Sequence, residues 1–240
     1  MNSYYEAGPG RAGRVNDLFA TIAPRYDRLN DLQSFWLHRL WKRRLVGLAS
    51  PKAGSRALDL CCGTGDVALA LARRGVEVAG LDFSAQMLEV AGRRAAQGSA
   101  TDGQIPFFLC GDAQEIPFPD ASFDIITISY GLRNLASWQQ GLDEMFRLAR
   151  SGGRLLILDF GKPDSAQLRA VYFGYLRLVV PWFGRLFCGD AKAYAYILES
   201  LENYPAQHAV DAYLRGLGCE NVHLLSLLGG VMTINVATKP

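Results

Sequence analysis

Leu58-Asp59-Leu60-Cys61-Cys62-Gly63-Thr64-Gly65-Asp66 is the stretch whose reading decides the fold. A short apolar run ends in a glycine-rich turn, and the turn opens onto helical periodicity from Asp66 to Arg74. Glycines at such a turn admit a ligand to the backbone, and the start of the helix offers N–H groups with no intrahelical partner. Further apolar runs follow at Val76–Leu81, Phe107–Cys110, Ile125–Ile128 and Leu155–Leu158, with helical patterns at Ser84–Ala96 and Leu142–Ala149. Alternation of this kind predicts an α/β protein with a parallel sheet and helices on both faces. A helical insertion from Ser165 to Glu202 and a helix at Ala209–Leu217 come next, then strands near Val222–Leu225 and Val231–Val236. The expectation is seven strands, the last of them antiparallel.

Upstream, the first 55 residues read as helices: Val15–Ile22 is apolar at helical spacing, and Leu37, Leu40, Trp41 and Leu45 share one stripe. The chain is therefore expected to be one domain over 1–240. It divides into a helical cover at 1–55, a cofactor-binding core at 56–160, a helical insertion or lid at 161–205, and a C-terminal helix and strand pair at 206–240.

Half of the residues are hydrophobic and a fifth are charged, which is globular composition, and the net charge of +2 gives no support to a nucleic-acid partner. The five Cys and three His show no metal-ligand spacing, so no metal site is expected. The N-terminus lacks a signal-peptide pattern, and a reduced cytoplasmic compartment fits the cysteine usage. The most apolar stretch, Val171–Phe187, contains Arg177, Pro181 and Arg185. It is shorter than the ~20 apolar residues that span a bilayer.

What the glycine turn binds is ambiguous taken alone. Gly63-Thr64-Gly65-Asp66-Val67-Ala68 also satisfies the dinucleotide pattern, so an NAD-binding reading stands beside it. Asp59 and Asp66 flank the turn, and two carboxylates repel a pyrophosphate but suit a ligand bearing an ammonium and a sulfonium, such as S-adenosylmethionine. Asp82 ends the second strand and could accept from two ribose hydroxyls, while Ser84 after it could cap a helix. Asp112, at the end of the third strand, could accept from an adenine amine, with Ala113 keeping the pocket narrow; read alone it is equally an exposed loop acid. Acids on three consecutive strand ends point to a nucleoside ligand.

A more specific signal lies in Tyr26-Asp27-Arg28-Leu29-Asn30 and in Ser34, His38 and Trp41. With Pro117-Phe118-Pro119-Asp120, Ser129-Tyr130-Gly131-Leu132-Arg133-Asn134 and Gly152 to Phe160, this closely resembles the ubiquinone/menaquinone-biosynthesis C-methyltransferase family over nearly the whole chain. Leu29 stands where Met is usual, Cys61 replaces a glycine, Arg150-Ser151 replace Lys-Pro, and Asp159-Phe160-Gly161 depart from the usual Glu and Ser. The resemblance implies a class I S-adenosylmethionine-dependent methyltransferase fold with a Rossmann-like sheet. Thr64, Asp82, Asp112, Ala113 and Ser129 match family positions that contact S-adenosylmethionine; Asp59, Gly63 and Gly65 complete the expected cofactor set. It further implies a prenylated quinol substrate methylated on ring carbon. Demethylmenaquinol is the first expectation; a polyprenyl benzoquinol or a soluble phenolic compound are the alternatives, and a non-catalytic binding protein is a third class.

A sulfonium methyl is already electrophilic, so the ring carbon must be made nucleophilic by loss of the neighbouring hydroxyl proton. Four residues are candidates. Arg133 follows the fourth strand and could stabilise a quinolate or order a water, or serve as a salt-bridge partner that fixes its loop. His38 lies on an apolar-faced helix, where packing competes with catalysis. Tyr26 could gate the pocket or pack in the core, and Asp159 could accept from the substrate or only shape the strand end. Around Arg169, Arg177 and Arg185 cluster many apolar and aromatic residues, including Tyr172, Phe173, Trp182 and Phe187. A groove for a prenyl tail, peripheral contact of 171–187 with the inner face of the cell membrane, core packing and a homodimer interface all suit them.

Overall fold

The computed structural model describes residues 30–31, 34–98, 104–188 and 192–240, the side chains of 179–197 excepted. The expected helix at Val15–Ile22 and the candidate Tyr26 lie outside the described residues. In chain order the elements are α1 (Leu37–Leu48), β1 (Arg56–Leu60), α2 (Asp66–Ala72), β2 (Glu77–Asp82), α3 (Ala85–Gly98), β3 (Phe107–Cys110), β4 (Phe123–Ser129), α4 (Trp138–Leu148), β5 (Ala149–Phe160), α5 (Ala166–Cys188), α6 (Lys192–Asn203), α7 (Gln207–Gly216), β6 (Glu220–Leu227) and β7 (Met232–Thr238). A short 3-10 turn spans Leu132–Asn134.

The strands form one seven-stranded sheet in the order β3-β2-β1-β4-β5-β7-β6. Strands β1 to β5 are parallel, and β7 runs antiparallel between β5 and β6. This is the architecture the sequence pattern implied. Central strands covered on both faces carry continuous apolar runs, and Ala57–Leu60 and Leu155–Asp159 are buried throughout. On one face, Trp41 and Leu45 of α1 and Val67 and Leu71 of α2 pack with Leu156 and Ile234. On the other, Leu142 and Met145 of α4, Leu201 of α6 and Leu214 of α7 pack with Leu58, Ile126 and Leu155.

Two boundaries differ from the sequence reading by more than two residues. Helix α4 starts at Trp138 rather than Leu142, because Ser137 caps it by accepting from Gln140 N, 3.2 Å away. Its first turn, Trp138-Gln139-Gln140-Gly141, has a single apolar side chain and so no periodicity to announce it. Strand β5 starts at Ala149 rather than Leu155; Gly152 N and Gly153 O bond Lys239, at 2.8 and 2.9 Å, and draw the polar stretch into the sheet. The insertion expected over Ser165–Glu202 consists of two helices, α5 and α6. Among the described residues no helix is long and apolar enough to cross a membrane.

Asp59 ties the sheet to α2. It is fully buried, and its carboxyl accepts from Ala68 N at 3.1 Å and from the Thr127 hydroxyl at 2.7 Å. Burial pushes it up to about 7, against the lowering effect of those hydrogen bonds and of Lys42. A raised carboxyl favours the native state when protonated, so its contribution is complete in acid and is lost as pH rises through about 7. Asp59→Asn should therefore flatten the fall in melting temperature between mildly acidic and neutral pH. An unchanged slope in scanning calorimetry would assign that titration to another group.

Candidate active site

A cleft opens at the carboxyl ends of the strands, where the strand order reverses between β1 and β4. Its lining includes Gly63, Leu81, Asp82, Met87, Asp112, Ala113, Ser129, Tyr130, Asn134 and Leu135. Asp82 is its best-anchored acid: one carboxylate oxygen accepts from Gly63 N at 2.7 Å and the other from Ser84 N at 2.9 Å. Burial raises its pKa, although the backbone N–H groups of Ser84, Gly63 and Phe83 work the other way. Asp112 accepts from Gln114 N at 2.9 Å and from the Gln114 side chain at 3.1 Å. The Gln114 amide oxygen in turn accepts from Ser137 N at 2.8 Å. Gln114 thus links the β3 end to the loop after β4, a role its place in the sequence does not reveal, since Ser137 is 23 residues away.

Gly63 has φ +55, and a Cβ placed there would meet nothing within 4 Å, so its backbone is bare on the side of the cleft. A bare glycine backbone, two carboxylates that keep unused lone pairs and apolar walls at Leu81, Met87 and Ala113 form a cradle for a nucleoside. S-adenosylmethionine fits this donor and acceptor set. The first glycine of the usual turn is here Cys61, a non-glycine residue at φ 50. Space for its thiol is left by Gly131 on the next loop, where an added Cβ would stand only 2.7 Å from Cys61 Sγ.

The expected cofactor residues separate into two groups. Gly63, Asp82, Asp112, Ala113 and Ser129 line the cleft together. Asp59, Thr64 and Gly65 do not. Asp59 points to the opposite side of the turn, as described. Thr64 is 2% exposed, and its carbonyl accepts from Arg94 at 2.8 Å. Gly65 faces Ala91 and Phe108. Asp66 is also withdrawn, paired with Lys42 at 2.8 Å and Arg94 at 2.6 Å. Burial would raise its pKa, but the two cations outweigh it and hold the carboxyl well below the usual range. Asp59 and Asp66 are thus bonded outside the cleft lining, and Asp82 and Asp112 are the carboxylates among its lining residues.

Behind the cleft wall, Arg133 and Asp159 form a buried pair at 2.8 Å, with side chains 5% and 3% exposed. Arg133 Nη1 also donates to Tyr130 O at 2.6 Å, its Nε donates to Ser200 Oγ at 3.3 Å, and its guanidinium lies over the Phe160 ring. Asp159 further accepts from the backbone N–H of Arg133 and of Phe160. The structure joins these two candidates to each other and, through Tyr130 O, to the cleft. His38 is elsewhere: it is buried on α1, with Nδ1 2.8 Å from Ser34 Oγ and Nε2 3.8 Å from Asp31. Burial and then the Lys42 charge lower its pKa. It is not among the residues lining the cleft.

Residues 9–239 match the ubiE/COQ5 methyltransferase family. The demethylmenaquinone methyltransferase of Thermus thermophilus is 43% identical over 225 residues, covering 93% of this chain and 100% of that protein. The ubiquinone/menaquinone biosynthesis C-methyltransferase of Azotobacter vinelandii is 38% identical, over 96% of this chain and 91% of that protein. Among solved structures, magnesium protoporphyrin IX methyltransferase from Synechocystis superposes with a TM-score of 0.66 at 20% identity, covering 94% of this chain and 98% of that one, which is a likeness of fold. The chain belongs to the ubiE/COQ5 methyltransferase family and is an S-adenosylmethionine-dependent methyltransferase.

Proposed function

We propose that this enzyme methylates a ring carbon of demethylmenaquinol to give menaquinol. The observation that carries the reading is the likeness over nearly the whole chain to a demethylmenaquinone methyltransferase, in a protein whose cleft fits a nucleoside. Asp82 would hold the ribose hydroxyls and Asp112 the adenine amine, with Ala113 and Ser129 also lining the cleft. When bound, S-adenosylmethionine supplies an electrophilic methyl. The protein's part is to align the ring carbon with that methyl, to exclude water and to favour the ionised ring hydroxyl. Arg133, held rigid by Asp159 and Tyr130 O, would stabilise the developing quinolate through its guanidinium, with the Asp159 carboxylate offsetting part of its charge.

The described part of the insertion would shelter a prenylated quinol, and the outer face of α5 would meet the membrane from which it comes. Val171 and Leu178 are 71% and 74% exposed and Arg177 is exposed between them, while Tyr172 and Leu176 face inward. Side chains of 171–187 beyond residue 178 lie outside the description. Cosedimentation with anionic vesicles should fall on Val171→Ser/Leu178→Ser. A shift from dimer to monomer with no vesicle effect would assign the face to a second copy of the chain.

The reading is tested with reduced demethylmenaquinone analogues that differ in tail length. Transfer to tailed substrates is expected, with kcat/KM at least about tenfold lower once the tail is removed, since each buried CH2 contributes about 0.8 kcal/mol. Equal kcat/KM would remove the tail groove, and absence of transfer to any naphthoquinol would overturn the reading. Preference for a benzoquinol would favour the ubiquinone role found in the name of the Azotobacter relative.

A further inference from the structure

Leu132 and Leu201, next in sequence to Arg133 and Ser200, belong to one buried apolar cluster with Leu176 and Tyr172. Each polar group of the Arg133–Asp159 pair is answered, by Tyr130 O, Ser200 Oγ and backbone N–H groups. Tyr172, on the inner face of α5, is the exception. It is 7% exposed, and its hydroxyl has no hydrogen-bond partner among the described residues. A buried hydroxyl left without a partner destabilises a fold, and phenylalanine would fill the same space without that penalty. Such a group persists where a ligand answers it.

We propose that the Tyr172 hydroxyl donates a hydrogen bond to the ring oxygen of the quinol next to the carbon that takes the methyl, orienting the ring alongside Arg133. The inference rests on the quinol reading above. Three observations agree on the placement. Tyr172 shares its buried cluster with Leu132 and Leu201, the sequence neighbours of Arg133 and Ser200, whose side chains are bonded to each other. Helix α5 forms an outer layer, since Val171 next to Tyr172 in sequence is open to solvent. Leu176, one turn further along, is buried in the same cluster as Tyr172. A quinol whose tail follows α5 would bring its head group to this place. Burial pushes the Tyr172 hydroxyl well above its ordinary range, so it stays protonated and serves as a donor rather than a base.

The test is Tyr172→Phe in the full chain, assayed with the tailed demethylmenaquinol analogue. Loss of one hydrogen bond to an oxygen that gains charge in the transition state should lower kcat/KM about 10- to 100-fold. The fall should lie mostly in kcat, because the bond strengthens as charge develops. S-adenosylmethionine affinity should be unchanged, and the melting temperature should equal or exceed that of the parent. That combination is one a packing role cannot give. Unchanged kcat/KM overturns the inference, and so does a loss of activity that tracks a lower melting temperature or weaker cofactor binding. A parent enzyme inactive on every quinol but able to bind S-adenosylmethionine overturns the quinol reading first and this inference with it.

Discussion

Asp82→Ala should leave a folded protein that binds S-adenosylmethionine at least about 100-fold more weakly than the parent. The estimate rests on two hydrogen bonds from ribose hydroxyls to one carboxylate, each contributing about 1.5–3 kcal/mol, against 1.4 kcal/mol per tenfold change in Kd. Asp82 also anchors Gly63 N and Ser84 N, so part of the loss comes from a slackened turn. Asp82→Asn keeps only one of the two acceptors, sets its amide NH2 against the other backbone N–H and discards the charge. Affinity between those of the parent and Asp82→Ala is expected for it. The pH dependence has a fixed sign: burial raises the Asp82 pKa, and ligand hydroxyls favour the ionised form. Binding should therefore tighten as pH rises through that pKa, with release of a proton detectable as buffer-dependent heat in calorimetry. Kd within a few-fold of the parent for Asp82→Ala would remove the residue from the cofactor site.

The second large effect is expected at Arg133. Arg133→Ala leaves Asp159 buried without its cation, which costs about 3–5 kcal/mol. For a protein of this length that is a fall of about 6–20 °C in melting temperature. Methyl transfer should fall at least about 100-fold, the range for removal of one fixed electrostatic contact. A single substitution cannot tell lost folding from lost catalysis, because the pair is structural as well as close to the cleft. The double variant Arg133→Met/Asp159→Leu can. Replacing both charges with apolar groups of similar volume should restore much of the stability, yet transfer should stay low. Recovery of transfer together with stability would make the pair a strut for the loop and nothing more.

How much of this could be read from the chain follows from which interactions are local. The sheet was legible because each central strand is a continuous apolar run beside a helical pattern, and Asp82 and Asp112 were legible because strand ends fall on one edge of such a sheet. Asp59 was assigned to the cofactor although it is one residue from the strand end. Alternation along β1 turns it toward α2 and Thr127, a partner 68 residues away. The same distance problem hid the pairing of Arg133 with Asp159, 26 residues apart, although each was singled out. The pairing of Asp66 is not legible in the sequence because its cations, Lys42 and Arg94, come from α1 and α3. Tyr172 stood in a stretch rich in aromatics, where one hydroxyl without a partner leaves no mark on periodicity.

Cys61 and Gly131 belong to different loops, yet the thiol of one occupies the room that any side chain at the other would need. The two positions are therefore sterically coupled. A relative with glycine at the first position could tolerate alanine at the second, whereas here Gly131→Ala would drive the turn out of register unless Cys61 changed with it. Chimaeras that graft the cofactor turn between members of the family should accordingly carry the loop after β4 as part of the same graft.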